Sequence, residues 1–323
     1  MRNSGPGPLV GPTDTGAVTV GEVRPVPEVT LYAMSAKGVA TFAALQAAHP
    51  GLVRQVVSAH DAGVADDSYE RLARACADAG VPFHDRGTAG PLPATGHALA
   101  AGWRWIIPAG GATILVVLHD SLLPRHRGFN PLVTALIGGD EATGVTALLA
   151  AAEYDRGDVL GQVTVPLPRP IRIADAIGLV VTAYAELAER IGGLIAAGVQ
   201  LAGVPQDESA ATYSLWRDDE DYEVDWSLPA PRIRDFVDAV GPPYAGARTS
   251  VDDAVVRLLA VTVEPDVRIA NRTAGKVIFL RDGRPTVVCG SGLLRVDAME
   301  VDGSPGTSAL PLPRFRSRFR PGR

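Results

Sequence analysis

Short apolar runs and helix-spaced apolar stripes alternate along the amino-terminal two thirds of the chain. Residues 29–34, Val-Thr-Leu-Tyr-Ala-Met, predict a first strand. A helix should follow, with Ser35 as its N-cap, running to about Ala48, because Val39, Phe42 and Leu45 fall on one face. His49-Pro50-Gly51 stops it, and residues 53–58 predict a second strand. The next helix, roughly 66–79, places Tyr69, Leu72 and Cys76 near one face, with Gly80 as its stop. Val81-Pro82-Phe83 predicts a short third strand. Strands alternating with helices in this way imply a parallel sheet with right-handed crossovers. Farther on, the run from Ile114 to Leu118 predicts a buried strand of that sheet. A helix is expected over 130–137, outer strands over 145–149 and 159–165, and a long amphipathic helix over 173–197 that closes the unit.

The pattern then changes. Residues 198–207 predict a linker by their Gly and Pro content. Beyond it lie an acidic, aromatic segment (Trp216 to Asp221, Asp225, Trp226), a helix over 232–240, and short alternating segments at 255–259, 276–280, 286–289 and 293–296. Asp282-Gly283 between two of these is a hairpin signal. A small β-barrel fits. Residues 1–27, rich in Gly, Pro, Thr and Val without periodicity, predict a flexible leader. Residues 304–323, with Arg314, Arg316, Arg318, Arg320 and Arg323, predict a basic tail without a core. The expected architecture is α/β: a doubly wound, mostly parallel, Rossmann-like sheet over 28–205, followed by a barrel-like domain over 206–303.

Composition narrows the function classes. At 323 residues the chain can bury two cores. A formal net charge of −6 argues against a large phosphate-backbone partner. Cys76 and Cys289 make neither a metal motif nor a disulfide framework. No run approaches the ~20 apolar residues of a membrane span, and no secretion signal is visible. No metal and no membrane partner are expected, the expected compartment is the cytoplasm, and a homodimer is left open.

The chemistry concentrates in His119-Asp120-Ser121-Leu122-Leu123-Pro124-Arg125-His126-Arg127-Gly128. His119 follows the 114–118 run, where open α/β sheets bind ligands, beyond the carboxyl ends of strands. A histidine there, with an acid later in the chain, is a candidate general base. His-x-Ser-Leu-Leu-Pro-x-x-Arg-Gly, then Gly144-Val145-Thr146, then Asp155-Arg156-Gly157-Asp158, resembles the folate-dependent formyltransferases. Those include methionyl-tRNA formyltransferases and nucleotide-sugar N-formyltransferases. The resemblance covers roughly 29–204 and continues more weakly to about 301, where Pro242-Pro243-Tyr244-Ala245-Gly246-Ala247 resembles the turn opening the family's carboxyl-terminal barrel.

The resemblance implies transfer of the formyl group of 10-formyltetrahydrofolate to a primary amine. It assigns His119 as the proton-accepting base and Asp155 as the acid that orients the ring and stabilises its cation. It places the pterin of the donor against the segment Gly102 to Pro108, hence against Trp103, Trp105 and Ile106, with core packing of a strand end the other reading of each tryptophan, and it makes Ser121, Leu122, Leu123 and Pro124 the loop shaping the folate pocket. Asp158 joins the donor site on the same ground, or serves as a turn acid leading into the next strand. Arg127 contacts an anionic group or makes a structural ion pair. Asp120 binds an ammonium or caps the turn. One position departs from the family: Val117 stands where an asparagine usually donates to the developing oxyanion. Protonated His119 with a backbone amide, or Asn130 or a water, must take that place, or else the chain binds folate without efficient transfer.

The acceptor is read from charge. Methionyl-tRNA enzymes carry a Lys-rich insertion after the second strand, whereas this chain has the acidic stretch 60–67 there. Acidic groups repel phosphates. A small-molecule amine is therefore the expected acceptor, with tRNA the runner-up and a folate-binding pseudoenzyme the reading from a different class.

Overall fold

The computed structural model describes residues 27–64, 67–107, 113–252 and 254–321. All but the last residue of the expected leader falls outside them, as do Ala65, Asp66, Pro108 and Arg323.

The first unit is a seven-stranded sheet in the order β3-β2-β1-β4-β5-β7-β8. Its strands are β1 (Val29–Ala33), β2 (Val53–Ser58), β3 (Phe83–Asp85), β4 (His97–Ala101), β5 (Ile114–His119), β7 (Ala142–Leu149) and β8 (Val159–Pro166). β6 (Arg127–Gly128) lies outside it. β1 to β5 pair in parallel, and β7 and β8 add antiparallel. The parallel part runs outward in both directions from the β1/β4 pair, so the switch point lies between the carboxyl ends of β1 and β4. Helices α1 (Ser35–Ala48), α2 (Tyr69–Asp78), α3 (Pro131–Gly138) and α4 (Ile173–Ala196) accompany the sheet, and α1 packs on both α2 and α4. The core joins Leu31, Val56, Leu99, Val116 and Leu118 to Phe42, Leu45 and Leu187.

Two local expectations change. Ser35 is the first helical residue rather than the cap: Met34 precedes the helix and no side chain caps it. β4 was not anticipated at all. His-Ala-Leu-Ala-Ala has little strand propensity, yet every residue of β4 is buried between β1 and β5, so tertiary context decides.

The second unit contains α5 (Ala230–Val240) and a six-stranded antiparallel sheet. Its strands are β10 (Ala247–Val251), β11 (Ala254–Glu264), β12 (Val277–Arg281), β13 (Arg284–Val288), β14 (Leu293–Val301) and β15 (Phe319–Arg320), in the order β12-β13-β14-β11-β10-β15. The Phe319 N–H donates to Gly275 O at 2.7 Å and the Val277 N–H to Ser317 O at 3.2 Å, curling the two edge strands together. Gly275 sits at φ +82°, and a Cβ there would fall 2.2 Å from Phe319 O, so only glycine permits this approach. The expected basic tail is thus corrected. Residues 319–320 pair with β10, and Phe319 is 1% exposed.

The linker reading is corrected as well. Val204 and Val159 exchange backbone hydrogen bonds at 2.8 and 2.9 Å, and β9 (Tyr213–Ser214) pairs in parallel with β6. The segment between the two sheets is laid along the first one. Arg169 pairs with Asp235 at 2.6 Å, and the Arg232 guanidinium donates to Gly138 O at 3.2 Å, tying α5 to the sheet unit.

Candidate active site

His119 ends β5 and is 8% exposed. Its Nε2 lies 2.9 Å from His126 O. A carbonyl only accepts, so Nε2 carries the hydrogen and donates it. In the neutral ring the lone pair is therefore on Nδ1. That atom faces Asp155 Oδ1 at 3.5 Å. The other Asp155 oxygen accepts the Gly128 N–H at 2.8 Å. The fold thus brings together the two side chains expected to work as a pair, though 36 positions separate them. Nδ1 can accept a proton, and once charged it becomes the ion-pair partner of Asp155.

Gly128, at φ +100°, permits this geometry: a Cβ on it would come within 2.5 Å of Ser214 O. Asp155 itself is left-handed at φ +57°. Its turn is held from outside. Gln206 Nε2 donates to both Asp155 O and Gly157 O at 2.8 Å. Gln206 Oε1 accepts from Arg127 Nε at 3.1 Å and Nη2 at 2.8 Å. Arg127 is 0% exposed, and its guanidinium donates to both oxygens of Glu208, at 2.8 and 2.9 Å. Hydrogen bonds from Arg127 and Arg156 hold the Glu208 carboxyl down at about 2, and the bond to Glu208 raises Arg127. Of the two roles weighed for Arg127, the structure gives it the structural ion pair.

The Ser121–Pro124 loop is fixed from beneath. Ser121 Oγ donates to Arg125 O at 2.6 Å. Thr146 Oγ1 donates to Ser121 O at 2.6 Å and accepts the Leu123 N–H at 3.1 Å. Gln162 Nε2 donates to Leu123 O at 2.8 Å. Leu123 is buried, while Leu122 and Pro124 are half-buried, with Leu122 lying over Gly144.

Trp103 and Trp105 follow β4 at the switch point. Their rings meet edge-on with centroids 5.2 Å apart, and Trp103 meets Tyr32 in the same way at 5.2 Å. The Arg86 guanidinium lies 4.5 Å over Trp105. Trp103 Nε1 is buried without a hydrogen-bond partner among the described residues, and Ile106 is 95% exposed.

Asp158 lies at the end of the Asp155 turn, directly before β8. Its carbonyl accepts the Leu149 N–H at 2.9 Å, and its side chain packs beside Gly203. Asp120 pairs with Lys37 and accepts the Tyr184 hydroxyl. Burial pushes the Asp120 carboxyl up, but Lys37 outweighs it and the net direction is down. Val117, half-buried in register with Ala100 and Leu148, shares the His119 face by strand alternation and offers no side-chain donor. Asn130 is exposed at the start of α3, with φ +49° and no side-chain cap bond.

The formyl transferase model matches residues 101–170, and the model of its C-terminal domain matches residues 217–310, together just over half of the chain. The chain belongs to the formyl transferase family. Among curated relatives, the methionyl-tRNA formyltransferase of Roseiflexus sp. (strain RS-1) is 35% identical over 188 residues, 58% of this chain and 57% of that protein. The chain spans about three fifths of the length of the curated relatives it matches. Among solved structures, the N-formyltransferase of Helicobacter canadensis, in complex with folinic acid and dTDP-3-aminofucose, superposes with a TM-score of 0.64. It is 13% identical, and the match covers 83% of this chain and 98% of that one. HypX of Aquifex aeolicus in complex with tetrahydrofolic acid gives a TM-score of 0.59 at 20% identity, over 85% of this chain and 44% of that one. At such identities the likeness shows the formyltransferase fold: the Rossmann-like sheet with its curled antiparallel partner. Within that fold, Gln206, Glu208 and Gln162 were not anticipated, whereas Thr146 belongs to the Gly144-Val145-Thr146 motif. Gln206 lies in the stretch read as a linker and Glu208 directly after it, and no periodic signal marks Gln162.

Proposed function

We propose that this formyl transferase moves the formyl group of 10-formyltetrahydrofolate to the primary amine of a small molecule. The observation that carries the reading is the placement of His119 Nδ1, lone pair free, 3.5 Å from Asp155 Oδ1 at the carboxyl end of β5. The amine nitrogen attacks the formyl carbon and a C–N bond forms. His119 Nδ1 takes the proton that the nitrogen loses. The bond from the formyl carbon to the folate nitrogen breaks, and that nitrogen receives the proton from the imidazolium. The products are a formamide and tetrahydrofolate. Asp155 stabilises the imidazolium between the two transfers.

The donor site is assigned to Trp103, Trp105 and the Ser121–Pro124 loop, with Ile106 at its open edge. A flat heterocycle fits there: two indoles lie at the switch point, and the buried Trp103 N–H has no partner among the described residues. Two structural neighbours, HypX of Aquifex aeolicus and the Helicobacter canadensis enzyme, are complexes with folates, which supports this reading. Asp158 keeps a role in the turn leading into β8. No described helix is long and apolar enough to cross a membrane, and the cytoplasm is the proposed compartment.

For the acceptor, Asp61 and Asp67 place carboxylates where a polyanion would need cations, and this favours a small amine. The names of the curated relatives favour methionyl-tRNA as the second reading. Donor consumption with a panel of amines, in wild type and His119→Ala, tests the reaction; equal rates in the two proteins overturn it. tRNA binding at low salt tests the acceptor: no binding removes the second reading, and tight salt-dependent binding installs it.

A further inference from the structure

Gln206 contributes nothing that a formyl transfer needs, yet its amide bonds two carbonyls of the catalytic turn. Arg127 can only donate, so the oxygen of the Gln206 amide must face the guanidinium. The NH2 group is then forced toward the carbonyls of Asp155 and Gly157, which can only accept, at 2.8 Å each. No alternative amide orientation satisfies both sides. These two carbonyls bracket the turn that holds Asp155 in a left-handed conformation, which a non-glycine residue adopts only when its surroundings impose it. Among the described residues, the Asp155 side chain has one short bond, accepted from the Gly128 N–H at 2.8 Å, and Gly128 is the chain neighbour of Arg127. Arg127 therefore fixes the carboxylate from both directions, through Gly128 along the chain and through Gln206 across the turn. Glu208 neutralises its buried charge.

We propose that Gln206 is a positioning residue for Asp155, keeping Oδ1 opposite His119 Nδ1 and so making the segment that joins the two units part of the catalytic machinery. This rests on His119 and Asp155 being the proton-transfer pair. If Gln206 only fills space and satisfies buried carbonyls, its loss lowers stability and leaves the imidazole unchanged.

The imidazole is read directly, without substrate, by NMR titration of the full chain carrying 13C-labelled histidine. Asp155→Asn sets the scale, because it removes the carboxylate that faces the ring. Gln206→Met, which keeps volume and removes the donors, is expected to reproduce at least half of the change that Asp155→Asn produces in the His119 titration. In the double variant it should add nothing to Asp155→Asn. Gln206→Leu, which also removes the donors without adding charge, serves if Gln206→Met does not fold, with the same expectation. In turnover, kcat should fall about tenfold or more with the KM for 10-formyltetrahydrofolate unchanged. A wild-type midpoint in the folded Gln206 variants, or shifts that add in the double variant, overturns the positioning role. A His119 midpoint indifferent to Asp155→Asn overturns instead the pair on which the proposed reaction stands.

Discussion

Lys37 and Asp120 form an ion pair between the first turn of α1 and the residue that follows His119, with 16% and 13% of their side chains exposed. Tyr184 completes it: its hydroxyl donates to Asp120 and lies 3.0 Å from Leu118 O. Burial alone would lower the Lys37 ammonium, but Asp120 more than offsets this and the net direction is up; Asp120 itself is held down. The pair therefore stabilises the fold above about pH 4, where an unfolded aspartate ionises, and below about pH 10, where an unfolded lysine still holds its proton. Its contribution fades as pH falls through the depressed Asp120 value or rises through the elevated Lys37 value. Lys37→Met strands a buried carboxylate and should cost roughly 3–5 kcal/mol by urea unfolding at pH 7. Lys37→Met combined with Asp120→Asn should recover much of that loss. A single-variant loss below about 0.5 kcal/mol would show that the pair is solvated.

Val117 invites the opposite experiment, a gain. It faces the same side of β5 as His119, in register with Ala100 and Leu148. Asn130 is exposed at the start of α3. A single oxyanion donor is worth roughly 10²–10³ in rate where it has been removed elsewhere. Val117→Asn should raise kcat by about tenfold or more, with Asn130→Ala leaving the wild-type rate intact. Should Asn130→Ala abolish turnover while Val117→Asn changes nothing, Asn130 holds the donor's place.

How far these features could be read from the residues depends on the range of the physics behind them. β5 is legible because Ile-Leu-Val-Val-Leu has no other stable use than a buried strand. β4 is not, because His-Ala-Leu-Ala-Ala becomes a strand only between two neighbours that bury it. His119 was locatable as the end of β5, but its pairing with Asp155 came from family resemblance, since nothing local links residues 36 apart. Gln206 was invisible for the same reason in sharper form. Its polar neighbourhood reads as a linker, and its contacts reach back 49 and 51 positions. The arginines after residue 304 suggested a solvated tail and masked Phe319, the residue that anchors it.

Asp238 on α5 gives a pH signature of its own. Burial pushes its carboxyl up to about 6, with Arg172 and Arg234 pulling the other way and Asp235 adding to the rise. A folded value above the unfolded one, about 3.9, means that the neutral form stabilises the fold. That stabilisation is complete below about pH 4 and is lost as pH rises through about 6. Asp238→Asn should flatten this dependence, leaving Tm nearly unchanged at pH 4.5 and raising it by a few degrees at pH 8. Parallel thermal melts of the two proteins from pH 4.5 to 8 check it. Curves that stay parallel would mean that the carboxyl titrates alike in the folded and unfolded chain.

Phe319 tests whether the carboxyl-terminal residues are structural. Its ring is 1% exposed, and its centroid lies 5.3 Å from that of Trp226, whose Nε1 donates to Thr249 Oγ1 at 3.0 Å. Its backbone links β10 on one side to Gly275 on the other. Phe319→Ala removes a fully buried aromatic side chain and should cost about 3–5 kcal/mol in the unfolding of the curled sheet. Arg320→Ala, on the exposed face of the same strand, should stay within about 0.5 kcal/mol. Because α5 ties the two units together through Asp235 and Arg232, the loss at Phe319 should also lower the midpoint reported from the catalytic sheet. Trp103 and Trp105 report that sheet by fluorescence once Trp216 and Trp226 are replaced by Phe. If near-ultraviolet dichroism of the barrel and this fluorescence melt at separate temperatures in Phe319→Ala, the units unfold independently. A single shared, lowered transition places the last strand in the cooperative core of the whole chain.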